Sequence, residues 1–475
     1  MTALAERVVV VGWDGLRPDM LSADVTPNLC RLIALGARYR RSTAAFPSET
    51  RPNSATIGTG CHPGRHGITA NRMHAADLGL PELNTGRPDH LLRIGQRHGR
   101  ILPPLTLGEV LGAAGRRIAV FGSGSPGQTL LQNPHGAGWT INRALRVPAR
   151  LDAELEARFG PVPDRPLSRV DAYLQRVALE HALPALDPHV LVLWSGEPDT
   201  SLHRFGLGSA EVEAALRAND ARLGDLLARV DLATTALLFL SDHGHSTVRG
   251  RIDLAGELVE SGLASPGELA NAQAIGYYLR GPARERLPEI VAWLRQRPWC
   301  GPIFVRDDRW DDRLEGAAPA SVLWDGAPGR WVPDLQLSLA WDDAPNRRGV
   351  PGRADGLAFG GGAAVLTDHG SLSPRDMGNL LLLAGAGVRR GVELDAPSGT
   401  VDVAPTLLHL LGVAPPETMQ GRPLREALEG GAEPPVTTEP LLDGPWGRLV
   451  RRRVEGTAYV AVEGSVPSPS GRGLG

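Results

Sequence analysis

Four apolar stretches of this chain share one pattern, in which a run of core-type residues is followed by an acidic or imidazole side chain. The first, Val8-Val-Val-Val-Gly-Trp-Asp14, is a β-branched run typical of a parallel strand buried on both faces. The others are His189 to Trp194 followed by Asp199, Thr234 to Leu240 followed by Asp242-His243, and Ala363 to Leu366 followed by His369. Because ligands of open α/β sheets bind beyond the carboxyl ends of the strands, these polar side chains are expected to meet at one edge.

Segments with helical periodicity separate the runs, which predicts an α/β fold with a doubly wound, mostly parallel central sheet and helices on both faces. A chain of 475 residues exceeds one ordinary domain. From about residue 251 to residue 362 the periodicity weakens and Trp, Pro, Gly and Arg become frequent. We therefore assign residues 1–250 and 363–428 to a core, 251–362 to a cap-like insertion, and 429–475 to a linker and a C-terminal tail or hairpin that turns at Glu455-Gly456.

Composition excludes several functions and indicates a compartment. The net charge of −3 argues against a nucleic-acid polymer as partner, and all 50 basic residues are arginine, because lysine is absent. Schiff-base chemistry and lysine-containing phosphate loops are therefore excluded. Three cysteines are too few for a disulfide framework, and neither a signal-peptide run nor a stretch of transmembrane length is apparent. These features predict a cytoplasmic protein without a membrane partner.

The stretch Phe46-Pro-Ser-Glu-Thr50-Arg-Pro-Asn53 places a hydroxyl immediately before a predicted helix start. Pro52 suits the first helical turn, where its missing N–H costs nothing. The unpaired backbone N–H groups of that turn favour an anion such as phosphate. Thr50 is therefore a candidate nucleophile, and the alternative is that it only caps the helix.

The polar residues at the strand ends form a candidate metal constellation. They are Asp14, Asp199 with His203 four residues later, the pair Asp242-His243, and His369. Mixed carboxylate and imidazole ligands suit Zn²⁺ and also Mn²⁺ or Fe, whereas a magnesium site would not need three histidines. Each motif alone is commonly a turn or a cap, but together they predict divalent metal binding.

The order of these motifs resembles the alkaline phosphatase superfamily, and most of all its type I phosphodiesterase or nucleotide pyrophosphatase branch. The resemblance runs from about Val8 to Leu428 and is carried by Trp-Asp14-Gly-Leu-Arg-Pro-Asp, Thr26-Pro-Asn-Leu, Phe46-Pro-Ser-Glu-Thr50, Pro63-Gly-Arg-His66-Gly-Ile, Glu197-Pro-Asp199, Ser241-Asp242-His243-Gly, His369-Gly and Val401-Asp-Val-Ala-Pro-Thr. It implies hydrolysis of a small-molecule phosphoester, most of all a phosphodiester or nucleotide pyrophosphate. It says nothing about oligomeric state.

The resemblance also implies a role for each motif residue. Asp14, Thr50, Asp242 and His243 would hold one divalent cation, and Asp199, His203 and His369 the other. Thr50 would attack phosphorus and form a phosphothreonine that water then hydrolyses, and the side-chain amide of Asn71 would bind a phosphoryl oxygen. Two cations roughly 4 Å apart stabilise the attacking and leaving oxygens of such a displacement.

One departure concerns the substrate. In nucleotide-cleaving members the residue after the threonine is usually aromatic and stacks on the base, but here it is Arg51. Trp194 matches the other aromatic residue of that slot. A base held between the indole and the guanidinium remains one hypothesis, and a second phosphate or a carboxylate bound by Arg51 is the other.

Other functions stay open at this point. A phosphomonoesterase or phosphonate hydrolase would use the same metals, although the absent lysine weakens a phosphonoacetate hydrolase. The segment Cys61-His-Pro-Gly-Arg65 has the Cys-x-Pro-x-Arg motif of sulfatases. In the alignment implied by the resemblance, however, the sulfatase nucleophile corresponds to Thr50 and not to Cys61. A non-catalytic binding protein is disfavoured because every ligand position is filled. Asn53 and His245 lie near the predicted ligands in sequence. We expect them to support neighbouring groups instead of contacting the substrate.

Overall fold

The computed structural model describes residues 2–80, 82–272, 276–326, 329–358 and 365–464. Within these ranges the largest element is a nine-stranded sheet. In spatial order its strands are Val392–Leu394, Ala37–Tyr39, Leu381–Gly385, Thr235–Leu240, Arg7–Trp13, Val190–Ser195, Ile118–Gly122, Gly138–Asn142 and Leu145–Val147.

The middle of the sheet is parallel. Strand Arg7–Trp13 pairs in parallel with Thr235–Leu240 on one side and with Val190–Ser195 on the other. Parallel pairing continues to Ile118–Gly122 and beyond, whereas Leu381–Gly385 runs antiparallel to its neighbours. The β-branched runs thus lie where burial on both faces favours them, and the predicted doubly wound α/β class is confirmed.

Helices cover both faces of the sheet. One hydrophobic cluster joins one face of the sheet to the helices Thr50–Thr59, Leu107–Ala113 and Val403–Leu410. A second cluster joins the other face to Pro27–Leu35, Leu151–Phe159, Leu167–Val177, Asp199–Phe205 and Ala210–Leu227. Further helices are Pro63–His66, Pro88–His98, Pro126–Gln132, Leu183–Leu186 and Pro374–Met377.

The predicted insertion contains two smaller sheets. A five-stranded sheet has the order Leu269–Ala272, Gly276–Leu279, Leu335–Leu339, Cys300–Val305 and Ala317–Pro319, and helices Leu254–Glu260, Pro282–Glu285, Leu287–Leu294 and Ser321–Trp324 belong to the same segment. A four-stranded sheet has the order Trp341–Pro345, Pro351–Leu357, Ser246–Ile252 and Thr367–Asp368. Strand Ser246–Ile252 thus runs across the boundary placed at residue 250, and the domain limits stay a prediction.

The strand expected before His369 differs from the prediction. Residues 363 and 364 of that run lie outside the described residues, and the short strand Thr367–Asp368 pairs with Ser246–Ile252 instead of joining the central sheet. The chain returns to the central sheet at Leu381–Gly385. The leucine run from Leu380 to Leu383 joins the sheet in antiparallel orientation, which needs no crossover helix. The helix–strand alternation that marks the parallel strands in the sequence is therefore missing before it.

The C-terminal segment forms a three-stranded sheet of Thr437–Gly444, Gly447–Val454 and Thr457–Glu463. The predicted hairpin turn at Glu455-Gly456 is confirmed, with positive φ of 48° and 91° at its two residues. The strand Thr437–Gly444 lies where only a linker was predicted. It is largely exposed, which explains why its sequence lacks the alternation of a half-buried strand.

A buried polar network fastens this C-terminal sheet to the core. The Tyr459 hydroxyl donates to Asp402 Oδ2 at 2.9 Å, and the Arg422 N–H donates to Asp402 Oδ1 at 2.9 Å. The Arg422 guanidinium in turn donates to the Glu426 carboxylate at 2.8 Å. All four side chains are at most 4% exposed. Burial raises the pKa of Asp402 to about 6, against the opposing effect of Arg422.

Replacing Tyr459 by Phe removes the hydroxyl but keeps the ring. We expect the free energy of unfolding to fall by about 1–3 kcal/mol, because a buried carboxylate loses a donor. Denaturation in urea measures the change. The matched control is Tyr173→Phe, whose hydroxyl donates to the Gly160 carbonyl instead of to a carboxylate. Equal losses in the two variants would contradict a special role for the network.

Candidate active site

The parallel strands bring the predicted ligands to one edge of the sheet. Asp14 directly follows strand Arg7–Trp13, and Asp242-His243 follow strand Thr235–Leu240. Asp199 starts a helix just after the strand that lies on the other side of Asp14. These contacts follow from parallel pairing, because it places like ends of neighbouring strands together.

The first group consists of Asp14, Asp242, His243 and Thr50. His243 Nε2 lies 3.5 Å from Asp14 Oδ1, 3.5 Å from Asp242 Oδ2 and 3.2 Å from Thr50 Oγ1. The His243 ring is oriented by its Nδ1–H, which donates to the Gly244 carbonyl at 3.0 Å. Asp14 Oδ1 and Asp242 Oδ2 are buried without a hydrogen-bond donor among the described residues. Two carboxylate oxygens are thus left for a ligand.

The second group consists of Asp199, His203 and His369. Asp199 Oδ1 lies 3.2 Å from His203 Nε2 and 3.6 Å from His369 Nε2. Each imidazole donates its Nδ1–H to a backbone carbonyl, His203 to Thr367 at 2.8 Å and His369 to Ser48 at 2.8 Å. Such bonds fix the tautomer and leave both Nε2 atoms free to bind a metal. The second group therefore has the donors of a three-ligand cation site.

The two groups adjoin each other. The rings of His243 and His369 stack with their centroids 3.8 Å apart. Donor atoms of Asp199, His243, His245 and His369 all lie within 4.8 Å of one another, as do those of Asp14, Asp242 and His243. The geometry thus places every metal ligand predicted from the sequence in one cluster.

The acid–base properties of this cluster suit divalent cations. Burial and the neighbouring Asp242 and Asp199 raise the pKa of Asp14 well above its usual value, and burial also raises the pKa of Asp242. Burial and neighbouring imidazoles hold the pKa of His369 well below its usual value. Packing several carboxylates together with neutral imidazoles is costly without a positive charge between them. The residues therefore fit divalent cations by donor type and by charge.

Asp199 and His203 form an ion pair in the protein alone. Burial favours the neutral form of both, but their mutual attraction outweighs it, so the pKa of Asp199 falls well below its usual value and that of His203 rises to about 9. A metal ligand must be deprotonated at its donor atom. A cation bound here would displace the His203 proton and take over its attraction to Asp199.

Three further residues support the site, and the sequence analysis named only His245 among them. His245 was expected to support neighbouring groups, and its Nε2 lies 2.8 Å from Asp199 Oδ1. Asp368 joins His203 and His369 in a third cluster of possible ligands, a position that its adjacency to His369 signals. Gln128 donates from Nε2 to Asp14 Oδ2 at 3.2 Å. No sequence signal marks Gln128, because 114 residues separate it from its partner.

Substitutions of His245 test whether its hydrogen bond to Asp199 supports metal binding. We expect His245→Ala to weaken metal retention about 10–100-fold, because Asp199 loses the group that orients it. His245→Gln, whose amide can replace Nε2–H, should retain most of the affinity. Zinc content after dialysis against graded chelator is the measurement. Indistinguishable zinc retention in the two variants would rule out a role for the hydrogen bond.

Thr50 lies inside the helix start instead of before it. The helix Thr50–Thr59 begins at this residue, its N-cap is Glu49, and Pro52 falls in the first turn. Thr50 Oγ1 contacts His243, so the hydroxyl does not serve as a cap. Asn53 donates to the carbonyl groups of residues 45, 47 and 49 and thereby holds the loop before the helix. Asn53 thus supports the loop before Thr50 and is not part of the cavity lining.

Asn71 lies directly beside the candidate nucleophile. Its Oδ1 accepts the Arg51 backbone N–H at 3.1 Å, and its own backbone N–H donates to Glu49 Oε2 at 2.5 Å. The first bond fixes the amide with its oxygen toward the helix. Among the described residues no hydrogen bond uses Asn71 Nδ2, so this donor is available to a ligand.

A cavity of about 350 Å³ opens beside these residues. Its lining includes Thr50, Asn71, Asp199, His203 and His369. The core also contributes Glu49, Arg51, Arg72, Asn84, Ser246, Val248, Asp368, Ser371 and Asp376, and the insertion contributes Leu339, Ala354, Asp355, Gly356 and Leu357. The insertion is thus one wall of the candidate active site.

Trp194 does not lie where the sequence analysis placed it. The side chain is 2% exposed, packs in the hydrophobic cluster of Val190 and Val192, and is absent from the cavity lining. Its ring lies over Gly12, where an added Cβ would meet it at 2.1 Å. A ring enclosed in this way has no face for a nucleobase, so the structure corrects the predicted stacking role.

Arg51 does line the cavity, as predicted. Its side chain is half-buried, and its only hydrogen bond among the described residues is from Nη2 to the Asn71 carbonyl at 3.5 Å. The buried Nε has no acceptor. Burial lowers the pKa of Arg51, although Glu49, Asp14 and Asp199 act in the opposite direction. This guanidinium is available to an anionic ligand.

The sulfatase-like Cys61 lies outside the cavity. Its side chain is buried, and the thiol donates to the Thr418 carbonyl at 3.3 Å. Burial raises the pKa of the thiol to about 11. This environment favours an inert thiol, in accord with the register argument against a sulfatase.

None of the helices in the described ranges combines the length and the hydrophobicity needed to cross a bilayer.

Comparison with known proteins gives one family. The family model for type I phosphodiesterase / nucleotide pyrophosphatase matches residues 8–297 of this chain. An uncharacterised pyrophosphatase/phosphodiesterase of Schizosaccharomyces pombe is 37% identical over 78 residues, covering 16% of this chain and 16% of its own length. Venom phosphodiesterase 2 of Crotalus adamanteus is 25% identical over 249 residues, covering 50% of this chain and 26% of its own length. The matches thus span about a quarter or less of these curated relatives.

Solved structures show a similar fold. Human ectonucleotide pyrophosphatase / phosphodiesterase 5 has a TM-score of 0.62 at 17% identity, covering 89% of this chain and 100% of that one. An inactive variant of the murine protein in complex with AMP has a TM-score of 0.59 at 17% identity, covering 86% of this chain and 96% of that one. The uncovered share of this chain is smaller than the segment 251–362, so the likeness includes part of the predicted insertion.

Proposed function

Because the chain belongs to the type I phosphodiesterase / nucleotide pyrophosphatase family, we propose that it hydrolyses phosphodiester or nucleotide pyrophosphate bonds through a phosphothreonine at Thr50. One observation carries the proposal. Thr50 Oγ1 lies at a helix N-terminus, 3.2 Å from His243 Nε2, on the wall of a cavity that also contains the second imidazole–carboxylate group. A hydroxyl so placed is a nucleophile candidate instead of a cap.

Two divalent cations complete the proposed site. Asp14, Thr50, Asp242 and His243 would hold one, and Asp199, His203 and His369 the other, with Zn²⁺ proposed first and Mn²⁺ or Fe as alternatives. When bound, such a pair supplies Lewis-acid stabilisation of charge on the attacking and leaving oxygens. The donor-free Asp14 Oδ1 and Asp242 Oδ2 support this assignment.

The side chains would act in a defined order. Thr50 gives up its hydroxyl proton to solvent, its Oγ1 attacks phosphorus to form a new P–O bond, and the opposite P–O bond breaks as the leaving oxygen takes its electron pair and a proton from solvent. Asn71 Nδ2 donates to a phosphoryl oxygen, held in place by the Arg51 N–H on its other side. Water then attacks the phosphothreonine from the face that the leaving group vacated, and the Thr50 hydroxyl is restored.

The cavity favours a diester over a monoester. It continues from Thr50 to the insertion residues Leu339, Ala354 and Leu357, which offers room and contact for a group retained on phosphorus. A monoester has no such group. The phosphomonoesterase alternative therefore gains no support from the shape of the site, whereas a phosphonate also keeps a group on phosphorus and is separated only by the substrate screen.

A screen of zinc-reconstituted protein tests the proposal. The substrates are nitrophenyl phosphate, nitrophenyl alkyl phosphodiesters, the nitrophenyl ester of thymidine 5′-phosphate, and nitrophenyl phenylphosphonate. We expect kcat/KM for the best diester to exceed that for the monoester by at least about tenfold, since only the diester contacts the insertion wall. A preference for the monoester would contradict the proposal. Failure to cleave any ester after addition of zinc, manganese or iron would indicate a binding protein.

A further inference from the structure

The cavity beyond the phosphoryl site has two unlike walls. The core supplies Arg51, Arg72 and Asn84, all of them hydrogen-bond donors. The opposite wall, from strand Pro351–Leu357 and its neighbours, is formed by aliphatic side chains. These are Val248, Leu339, Ala354 and Leu357. The lining thus offers both guanidinium groups and hydrocarbon to a ligand, beside the carboxylates of Glu49, Asp355, Asp368 and Asp376.

Arg51 is the free cation of the core wall. Arg72 also faces the cavity, but its guanidinium donates to Glu82 at 2.9 Å and its side chain is 48% exposed. Within the described residues Arg51 has no carboxylate at ion-pair distance, and its buried Nε lacks an acceptor. A half-buried guanidinium with an unused N–H is stabilised by an anion that can accept two hydrogen bonds. Carboxylate and phosphate groups both can.

The carboxylates beside the aliphatic residues already have hydrogen-bond donors. Asp355 accepts two hydrogen bonds from Arg249, at 3.0 and 2.7 Å, and its charge is thereby matched. Asp368 accepts the His369 backbone N–H, and Asp376 accepts the hydroxyls of Ser246 and Ser371. A cationic ligand group would have to compete with that bidentate pair. The wall therefore suits a short hydrocarbon segment, which gains by leaving water.

A nucleoside finds little to recognise here. The only aromatic candidate from the sequence, Trp194, is enclosed below the sheet edge, and no Phe, Tyr or Trp among the described residues lines the cavity. Base recognition in such sites depends on stacking against aromatic faces. The described lining provides a guanidinium and alkyl groups instead.

We infer that the group retained on phosphorus is a short aliphatic chain ending in an anion, a carboxylate or a second phosphate, and that Arg51 binds this anion while the insertion wall contacts the chain. The inference rests on the proposed function for the identity of the phosphoryl site. It replaces the nucleoside with a small acidic alcohol as the second ester group.

Binding of reaction products tests the inference without requiring turnover. Zinc-loaded protein is titrated by calorimetry with butyl phosphate, 3-carboxypropyl phosphate, propane-1,3-diol bisphosphate and AMP. We expect at least one of the two acidic ligands to bind about tenfold more tightly than butyl phosphate and more tightly than AMP, because a charge-assisted bidentate contact is added. The tighter of the two identifies the anion as carboxylate or phosphate.

Arg51→Met then separates the roles of the arginine. The variant keeps the length of the side chain, and we expect the affinity ratio of acidic ligand to butyl phosphate to fall to about one. Arg87→Met is the matched control, since the exposed Arg87 side chain pairs with Asp89 and is not part of the cavity lining. The inference is overturned if Arg51→Met leaves the affinity ratio of acidic ligand to butyl phosphate unchanged, as it would be if both ligands lost affinity equally. It is also overturned if the parent protein binds AMP more tightly than either acidic ligand. Binding in the expected order without cleavage of any diester would instead contradict only the proposed function.

Discussion

Replacing Thr50 by Ala is expected to lower kcat for diester hydrolysis by at least about 10³-fold, because the covalent step loses its nucleophilic oxygen. The fold should persist, since the helix Thr50–Thr59 uses Glu49 and not Thr50 as its N-cap. Most metal binding should persist as well, because Asp14, Asp242 and His243 remain. Steady-state kinetics, together with zinc analysis of the same preparation, measure both quantities.

Thr50→Ser is the matched control for this prediction. Serine keeps the hydroxyl, so partial activity is expected, with the loss coming from a less restricted side chain. Quenching during turnover and mass analysis should detect a phosphorylated residue 50 in the parent and the serine variant. Diester hydrolysis by Thr50→Ala at near the parent rate would mean that water attacks phosphorus directly.

Removal of metal is the second change with a large expected effect. Dialysis against a chelator should abolish hydrolysis, and added zinc should restore it, because the reaction loses the Lewis acid that stabilises charge on the attacking and leaving oxygens. His369→Ala should lower the zinc content from two equivalents toward one, since the second group loses one of its three ligands. Zinc analysis after gel filtration gives the stoichiometry.

His98→Ala serves as the control for metal content. His98 pairs with Asp77 at 2.9 Å, outside the metal clusters, so its loss should leave zinc binding unchanged. A full zinc complement in His369→Ala would show that His369 is not a ligand. Hydrolysis that survives exhaustive chelation would contradict the metal assignment altogether.

The site residues that could be predicted from the sequence are those at the carboxyl ends of buried strands. A β-branched run ending at Asp14 or Asp242 specifies both a buried strand and the edge at which its last residue emerges, so these contacts could be inferred without coordinates. His369 was grouped with them by the same strand-end pattern, but that pattern does not account for its position. Its short strand pairs outside the central sheet, and no periodicity marks it.

The predicted stacking role of Trp194 was wrong for a physical reason that can be read from the sequence. Side chains alternate between the faces of a strand, so Trp194 shares a face with Val190 and Val192. Those two residues lie in a hydrophobic cluster with it. The match of Trp194 to an aromatic residue of the family's base-binding slot suggested access to the cavity, but alternation already placed the indole in the core.

The strand Ser246–Ile252 limits how this protein can be re-engineered. It begins directly after His245, pairs with the strand that leads to His369, and pairs on its other edge with Pro351–Leu357, which walls the cavity. Hydrogen bonds thus join the proposed specificity wall and the ligand-bearing loop into one sheet. Exchange of the insertion between relatives would shift His369 unless the graft keeps this strand register, so specificity here cannot be transplanted as an independent module.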